Sequence, residues 1–168
     1  MPSAGAEERF AVACCTREDF YEILETQAEF WDGRDMRHLF HPFLLHQFGN
    51  SAYVIRDGSH VEGGHVVAYL FGLLSQTEPV AYAHAIAVRP SARRHKLGQR
   101  LYAAFTDFAR AHGCTHLKAI TSPDNRRSIA FHRSIGMTLQ GEPNADGIPV
   151  VRGYARRDVD HVVFEKAL

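Results

Sequence analysis

The sequence has little of what would place a chain in a membrane, a disulfide scaffold or a nucleic-acid complex. Its 3 cysteines, an odd number with two adjacent, form no disulfide framework and predict a reducing, cytoplasmic location. The longest apolar run, residues 66–74, falls well short of the roughly 18 residues of a membrane helix, and residues 1–8 lack the regions of a signal peptide. The 19 basic and 19 acidic residues cancel, so the overall charge predicts neither a nucleic-acid nor a membrane partner.

What is present is the pattern of one ordinary α/β domain. With 168 residues, 45% of them hydrophobic, the chain is long enough for a sizeable core and too short for two domains, so we predict a single domain over 1–168. Apolar spacing predicts the element order βααβββαβαββ. The predicted strands are 10–15, 51–56, 65–74, 80–88, 117–121, 137–140 and 162–166, and the helices are 17–31, 36–48 with a break at Pro42, 97–112 and 125–135. Polar loops are expected at 57–64 and 141–161.

One junction in this pattern is suited to bind an anion. The predicted strand 80–88 leads through a basic turn into the helix that begins near Leu97. The first N–H groups of a helix have no partner within the helix and lie at the positive end of its dipole. The turn 93–96 adds three cations, and Gly98 lets a ligand approach the backbone closely. A pyrophosphate group fits this combination of charge and geometry.

Two motifs, in this order, resemble those of the GCN5-related N-acetyltransferases (GNAT). The segment Arg93–Gly98, Arg-Arg-His-Lys-Leu-Gly, resembles the family's Arg/Gln-x-x-Gly-x-Gly/Ala at the head of a helix. The segment Asn125–Met137 resembles the family's Asn-x-x-Ser/Ala-x-x-Phe-Tyr-x-x-x-Gly-Phe, one strand downstream. There are two departures, because Lys96 stands at the family's first glycine and His132 at its tyrosine. A left-handed backbone at Lys96 would cost on the order of 1 kcal/mol.

The resemblance implies a single-domain GNAT-like fold of class α/β, with a mixed central sheet flanked by helices. The sheet is expected to splay open between the strands at about 80–88 and 117–121, and in the family the pantetheine arm of acetyl-CoA or another acyl-CoA lies in that gap. The first strand holds the arm, the turn after it wraps the pyrophosphate, and the second motif faces the other side of the arm. The cofactor-binding residues implied in this way are Ile86, Ala87, Val88, Arg93, Arg94, His95, Lys96, Leu97, Gly98, Gln99, Asn125, Ser128 and Phe131.

His84 is the candidate catalytic base. In the family an amine attacks the thioester directly, and many members take its proton with a glutamate four residues before the position of Val88. Strand alternation sends His84, Ile86 and Val88 to one face of the sheet. An imidazole, with its pKa of about 6.5, suits this proton transfer. The alternative is a hydrogen-bonded strand histidine without a catalytic role.

His132 is the candidate catalytic acid. It stands where many family members protonate the departing thiolate with a tyrosine, and an imidazole can also donate a proton. The alternatives for His132 are a spacer or a contact to CoA, and Tyr102 is a weaker substitute as acid.

Together these residues predict an N-acyltransferase that moves an acetyl or other short acyl group from acyl-CoA to a primary amine. Two other functions stay open: an acyltransferase whose donor is a phosphopantetheine arm on a carrier protein, and a non-catalytic CoA-binding module. A small-molecule amine is the expected acceptor, a protein acceptor stays open, and a homodimer is implied by the resemblance alone. The histidines at 38, 41 and 46 lack cysteine or carboxylate at ligand spacing, so no metal is predicted.

Overall fold

A computed structural model of the chain describes residues 9–58 and 64–168. Residues 1–8, which carry the expectation about a signal peptide, and residues 59–63 of the predicted loop 57–64 lie outside the described residues. Within the described ranges, no helix combines the length and the apolarity needed to cross a bilayer. The chain divides into two compact units, Met1–Leu73 with His84–Phe108 and Leu74–Ala83 with Ala109–Leu168.

Antiparallel strands and helices make up the first unit. It contains β1 (Val12–Cys14), α1 (Arg17–Phe30), α2 (Phe43–His46), β2 (Ala52–Arg56), most of β3 (Val66–Leu74), the later part of β4 (Val80–Val88) and most of α3 (Leu97–Ala111). Short 3-10 turns lie at Arg37–Leu39, Gly49–Ser51 and Pro90–Ala92. β1 pairs with β2 and β2 with β3, so that Val54 lies opposite both Ala13 and Tyr69. The predicted strands 51–56 and 65–74 begin within one residue of β2 and β3, and the predicted bounds 80–88 of β4 are confirmed.

Helix α1 begins at a capping box and is held by an aromatic core. The hydroxyl of Thr16 accepts a hydrogen bond from the N–H of Asp19 at 3.1 Å, and the Asp19 carboxylate accepts one from the N–H of Thr16 at 2.8 Å. On its buried face Phe20 meets Phe71 of β3 edge to face, with ring centroids 5.8 Å apart. Both rings belong to the core that also contains Tyr69. These contacts fix α1 against β3.

The predicted helix over 36–48 is wrong in extent. The chain forms the 3-10 turn Arg37–Leu39 and then the one-turn helix α2, with Pro42 at its N-cap. Proline lacks an N–H and disfavours helical backbone at the residue before it, so a continuous helix does not cross Pro42. The predicted break there is confirmed. The segment still packs inward, because the ring of Phe40 lies 5.7 Å from that of Tyr69.

A mixed sheet makes up most of the second unit. Besides the first part of β4 it contains β5 (His116–Thr121), α4 (Arg126–Ser134), β6 (Thr138–Leu139), β7 (Glu142–Pro143), β8 (Pro149–Arg156) and β9 (Val159–Ala167). The order is β4-β5-β9-β8-β7 with β6 on β9; β4 and β5 are parallel and the other pairs antiparallel. The parallel ladder runs from Val80↔His116 to Ala83↔Ala119, as a sheet that opens beyond Ala83 requires. The predicted α/β class with a mixed sheet flanked by helices is confirmed.

The predicted polar loop 141–161 is wrong in part, because β7, β8 and the start of β9 lie within it. Val150 of β8 is buried, whereas Tyr154 on the same strand is 46% exposed. Gly153 has a left-handed backbone with φ of 60°, and arginines stand on both sides of it. This strand therefore lacks the regular apolar alternation by which a half-buried strand is recognised in a sequence.

Candidate functional site

The side chains of β4 alternate between two environments. The alanines at 81, 83, 85 and 87 are buried, and those at 85 and 87 belong to the core of the first unit. The residues between them are half-buried: Tyr82, His84, Ile86 and Val88. The predicted alternation is confirmed, so that the candidate base shares one face of the strand with the residues expected to hold the pantetheine arm.

The ring of His84 is held by a backbone carbonyl. Its Nε2 lies 2.8 Å from the carbonyl oxygen of Leu39, at the end of the 3-10 turn Arg37–Leu39. Because a carbonyl oxygen only accepts hydrogen bonds, Nε2 carries the hydrogen, and Nδ1 is the basic nitrogen of the neutral ring. No local pattern predicts this contact, since it joins residues 45 positions apart through a segment expected to be helical.

Arg89, directly after β4, is a residue of the site that the sequence analysis missed. Its Nε donates to the carbonyl oxygen of Val66 at 2.7 Å, and its Nη2 donates to the hydroxyl of Thr26 at 2.9 Å. The same guanidinium forms an ion pair with Glu29 and lies 4.5 Å from the centroid of the Phe30 ring. The charge of Arg89 is therefore used within the protein, where it ties the end of β4 to α1.

The turn between β4 and α3 has an unusual backbone. Arg94 has φ of 75° and Lys96 has φ of 56°, so two non-glycine residues, separated by one position, are left-handed. Left-handed residues are components of the backbone nests in which successive N–H groups can bind an anion. Helix α3 follows directly, and its first residue, Leu97, is buried. The N–H groups of its first turn, which have no partner within the helix, therefore lie next to the basic turn. Lys96 therefore has the left-handed backbone whose cost the sequence analysis considered.

The side chains of this turn carry its positive charge. Nη2 of Arg93 lies 3.4 Å from Oδ1 of Asp32, an exposed carboxylate just after α1. Arg94 and Lys96 are exposed, and so is His95 between them. Gly98, by contrast, is buried within the first turn of α3. Backbone donors and cations together can hold a diphosphate group at this point.

The second motif lies in the second unit and forms helix α4. Asn125 is its N-cap, and its Oδ1 accepts the N–H of Ser128 at 3.1 Å. Phe131 is half-buried, with its ring centroid 5.2 Å from that of His132. The polar groups of Asn125 and Ser128 thus have structural partners, and their contact with a cofactor stays a prediction.

His132 is packed inside the second unit. It is 3% exposed, and its ring is stacked on Phe164 of β9 with centroids 4.2 Å apart. Its Nδ1 lies 2.8 Å from the carbonyl oxygen of Ser128, so that this nitrogen carries the hydrogen. Burial lowers the pKa of His132 to about 4. The ring is therefore neutral near neutral pH, and a role as acid stays a prediction.

Other candidate groups offer less for catalysis. Burial raises the pKa of Tyr82 to about 12 and that of the Cys15 thiol to about 12, so both stay protonated near neutral pH. Tyr102 is 4% exposed on α3. Among the described side chains, no three His, Cys, Asp or Glu residues are grouped as metal ligands would be.

The model of one protein family, described as the acetyltransferase (GNAT) family, matches residues 17–137. This match contains β4, the basic turn, α3 and the second motif. No curated protein sequence matches the chain at a significant level.

Solved structures similar to this chain are acetyltransferases. Ard1 from Thermoplasma volcanium is 16% identical with a TM-score of 0.71, and the match covers 95% of this chain and 98% of that one. The phosphinothricin acetyltransferase of Sinorhizobium meliloti, in complex with acetyl-CoA, is 20% identical with a TM-score of 0.65 and coverages of 95% and 89%. The ribosomal-protein-S18-alanine N-acetyltransferase of Escherichia coli is 15% identical with a TM-score of 0.61 and coverages of 94% and 93%. At these identities the similarity concerns the fold.

Proposed function

The chain belongs to the GNAT acetyltransferase family, and on this basis we propose that it is an N-acyltransferase that moves an acetyl or other short acyl group from acyl-CoA to a primary amine. The observation that carries the proposal is the hydrogen bond from His84 Nε2 to the Leu39 carbonyl, which orients an imidazole on the face of β4 shared with Ile86 and Val88. The alternative of a hydrogen-bonded strand histidine without a catalytic role predicts the same contact, so the His84→Ala variant below separates the two.

The donor substrate is held by the end of β4 and the turn after it. The pyrophosphate of acyl-CoA binds the N–H groups of the left-handed turn and of the first turn of α3, with Arg93, Arg94 and Lys96 around it. Backbone groups of Ile86 and Val88 bind the pantetheine arm, and the N–H of Ile86 is the donor for the developing oxyanion. The basic turn supports this assignment because it follows the strand directly in sequence.

The reaction needs one proton to move from nitrogen to sulfur. The amine nitrogen forms a bond to the thioester carbonyl carbon while its proton passes to Nδ1 of His84, directly or through one water. The carbon–sulfur bond then breaks, and the thiolate of CoA takes up a proton. The products are an amide and free CoA, so the one proton that the amine gives to His84 is matched by the one proton that the thiolate takes up.

The source of the thiolate's proton has two candidates. His132 was predicted as the acid, but its Nδ1 hydrogen is used by the Ser128 carbonyl and its pKa is lowered to about 4 by burial. A group that binds a proton so weakly is neutral at the pH where His84 acts. We therefore assign the return of the proton to the imidazolium of His84, through solvent, and keep His132 as the alternative.

The acceptor is proposed at the level of a primary amine. The structural neighbours include an enzyme named for a small molecule, phosphinothricin, and one named for the alanine of a ribosomal protein. A small-molecule amine acted on in the cytoplasm is our expectation, and a protein acceptor and a homodimer are further options for test. The donor carried on a phosphopantetheine arm and the non-catalytic CoA-binding module are the competing functions.

Calorimetric titration with CoA, acetyl-CoA and phosphopantetheine tests the donor. We expect CoA to bind and phosphopantetheine, which has one phosphate, to bind at least about tenfold more weakly, since a hydrogen bond to a charged group contributes on the order of 1.5–3 kcal/mol. Equal binding of the two would favour a carrier-protein donor. Binding of acetyl-CoA without turnover over a broad panel of amines would favour the non-catalytic module.

His84→Ala tests the catalysis. Loss of a general base typically lowers kcat by about 10²–10⁴, and the loss should shrink as the pH approaches the pKa of the amine, because the amine then loses its proton unaided. His112→Ala, which removes an exposed histidine near the end of α3, is the matched control and should leave kcat unchanged. An unchanged kcat–pH profile in His84→Ala would remove His84 as the base.

A further inference from the structure

The backbone of the basic turn has a strained, left-handed conformation that other contacts must stabilise. Left-handed residues with a Cβ are strained, and such conformations persist only where surrounding contacts determine them. The turn has two, Arg94 and Lys96, and both side chains are exposed. Part of the support comes from the backbone, because the carbonyl oxygen of Lys96 accepts a hydrogen bond from the N–H of Arg100 at 3.1 Å. A second source is the residue between the two left-handed positions.

The ring of His95, between the two left-handed residues, contacts Phe10. The ring centroids are 5.2 Å apart and the planes are tilted by 42°. Phe10 is 5% exposed, so the exposed ring of His95 packs against a buried ring. A ring contact of this kind offsets part of the strain in the turn.

Phe10 is in turn held by charged groups of the same unit. The guanidinium of Arg9 lies 5.1 Å from the centroid of the Phe10 ring. That guanidinium binds Asp57 with two hydrogen bonds, Nε to Oδ1 at 2.6 Å and Nη2 to Oδ2 at 3.0 Å. The N–H of Asp57 donates to the carbonyl of His65 at 2.9 Å. A series of contacts thus connects the end of β2 to the middle of the turn.

We infer that His95 is a positioning residue, whose ring contact with Phe10 holds Arg94 and Lys96 left-handed so that the turn is preorganised for the pyrophosphate of acyl-CoA. This inference rests on the proposed function. It also changes the predicted role of His95, because the resemblance counted it among the residues that bind the cofactor, whereas its ring is directed to Phe10.

His95→Ala and His95→Phe separate the two roles. Loss of the ring contact in His95→Ala should raise the Kd for CoA, and the KM for acetyl-CoA, by roughly two- to tenfold with kcat unchanged. His95→Phe keeps a ring but has no N–H and no charge, and should restore both values to within about twofold. Pantetheine, which has no phosphate, should bind the wild-type chain and both variants equally.

The inference would be overturned if His95→Phe bound CoA as weakly as His95→Ala does, since the imidazole would then act by its charge or its hydrogen bonds. A Kd for His95→Ala equal to that of the wild type would overturn it as well. Tyr21→Ala, which removes a 48% exposed aromatic ring beside Arg17 in the same unit, is the control and should leave CoA binding unchanged. A wild-type chain that does not bind CoA would instead contradict the proposed function, so the two failures are distinguishable.

Discussion

Arg94 and Lys96 hold a backbone conformation that residues with a Cβ rarely adopt. Glycine would adopt it without strain, and the family motif has glycine at the position of Lys96. We expect the charge of Lys96 to offset this strain when acyl-CoA binds, because a phosphate is the group that an exposed cation beside a helix N-terminus would meet. The same argument applies to Arg94, where no motif pointed to a left-handed residue.

Lys96→Gly and Lys96→Ala separate strain from charge. Lys96→Gly should raise the free energy of unfolding by about 0.5–1 kcal/mol, because it removes the Cβ at φ of 56°, whereas Lys96→Ala keeps that strain and should leave stability nearly unchanged. Both variants should weaken CoA binding because both lose the cation. Urea unfolding and calorimetry measure the two effects, and equal stability of the variants would show that the lysine is not strained.

At the scale of elements, regular patterns were predictable and long-range contacts were not. The strand 80–88 was predicted with its observed bounds because its alternation of alanines with larger residues is regular. Strand β8 was missed because it is mostly exposed, so its pairing with β9 leaves little apolar pattern. The hydrogen bond of His84 to Leu39 depends on where a 3-10 turn meets a strand, and no local spacing encodes that position.

The packing of α4 on β9 should make stability depend on pH through His132. The unfolded chain binds a proton at His132 below pH of about 6.5, whereas the folded chain, with its pKa lowered to about 4, does not. Unfolding therefore takes up a proton between these values, and the free energy of unfolding falls as the pH falls through this range. The part of this fall in the free energy of unfolding that is due to His132 should reach about 2 kcal/mol at pH 5 and be absent above pH 7.

His132→Phe is the comparison that isolates this effect. The phenyl ring can keep the stack on Phe164 but does not titrate, so its free energy of unfolding should fall by about 2 kcal/mol less than that of the wild type between pH 7 and pH 5. If the free energies of unfolding of the two proteins changed in parallel with pH, the pKa of His132 would not be lowered in the folded chain. The same variant tests the acid role, because a kcat close to wild type is expected from packing alone and a large fall would support His132 as acid.

At the scale of the whole molecule, the chain forms two compact units that share continuous elements. The first part of β4, Val80–Ala83, pairs with β5 in the second unit, while Ala85 and Ala87 of the same strand lie in the core of the first. Helix α3 likewise continues past Phe108. Because β4 and α3 each contribute residues to both units, we expect the units to unfold together, as the predicted single domain requires.

Two fluorescent reporters, one in each unit, test this expectation. Trp31, the single tryptophan of the chain, donates a hydrogen bond to Tyr69 at 2.8 Å and reports on the first unit. Trp31→Phe combined with Tyr154→Trp would move the indole to an exposed position on β8 in the second unit. In each protein the urea midpoint from fluorescence should coincide with that from far-UV circular dichroism, because cooperative unfolding gives every probe the same midpoint. A fluorescence midpoint that departs from the circular dichroism midpoint in either protein would show units that unfold separately, and β4 would then have to lose its order in two steps.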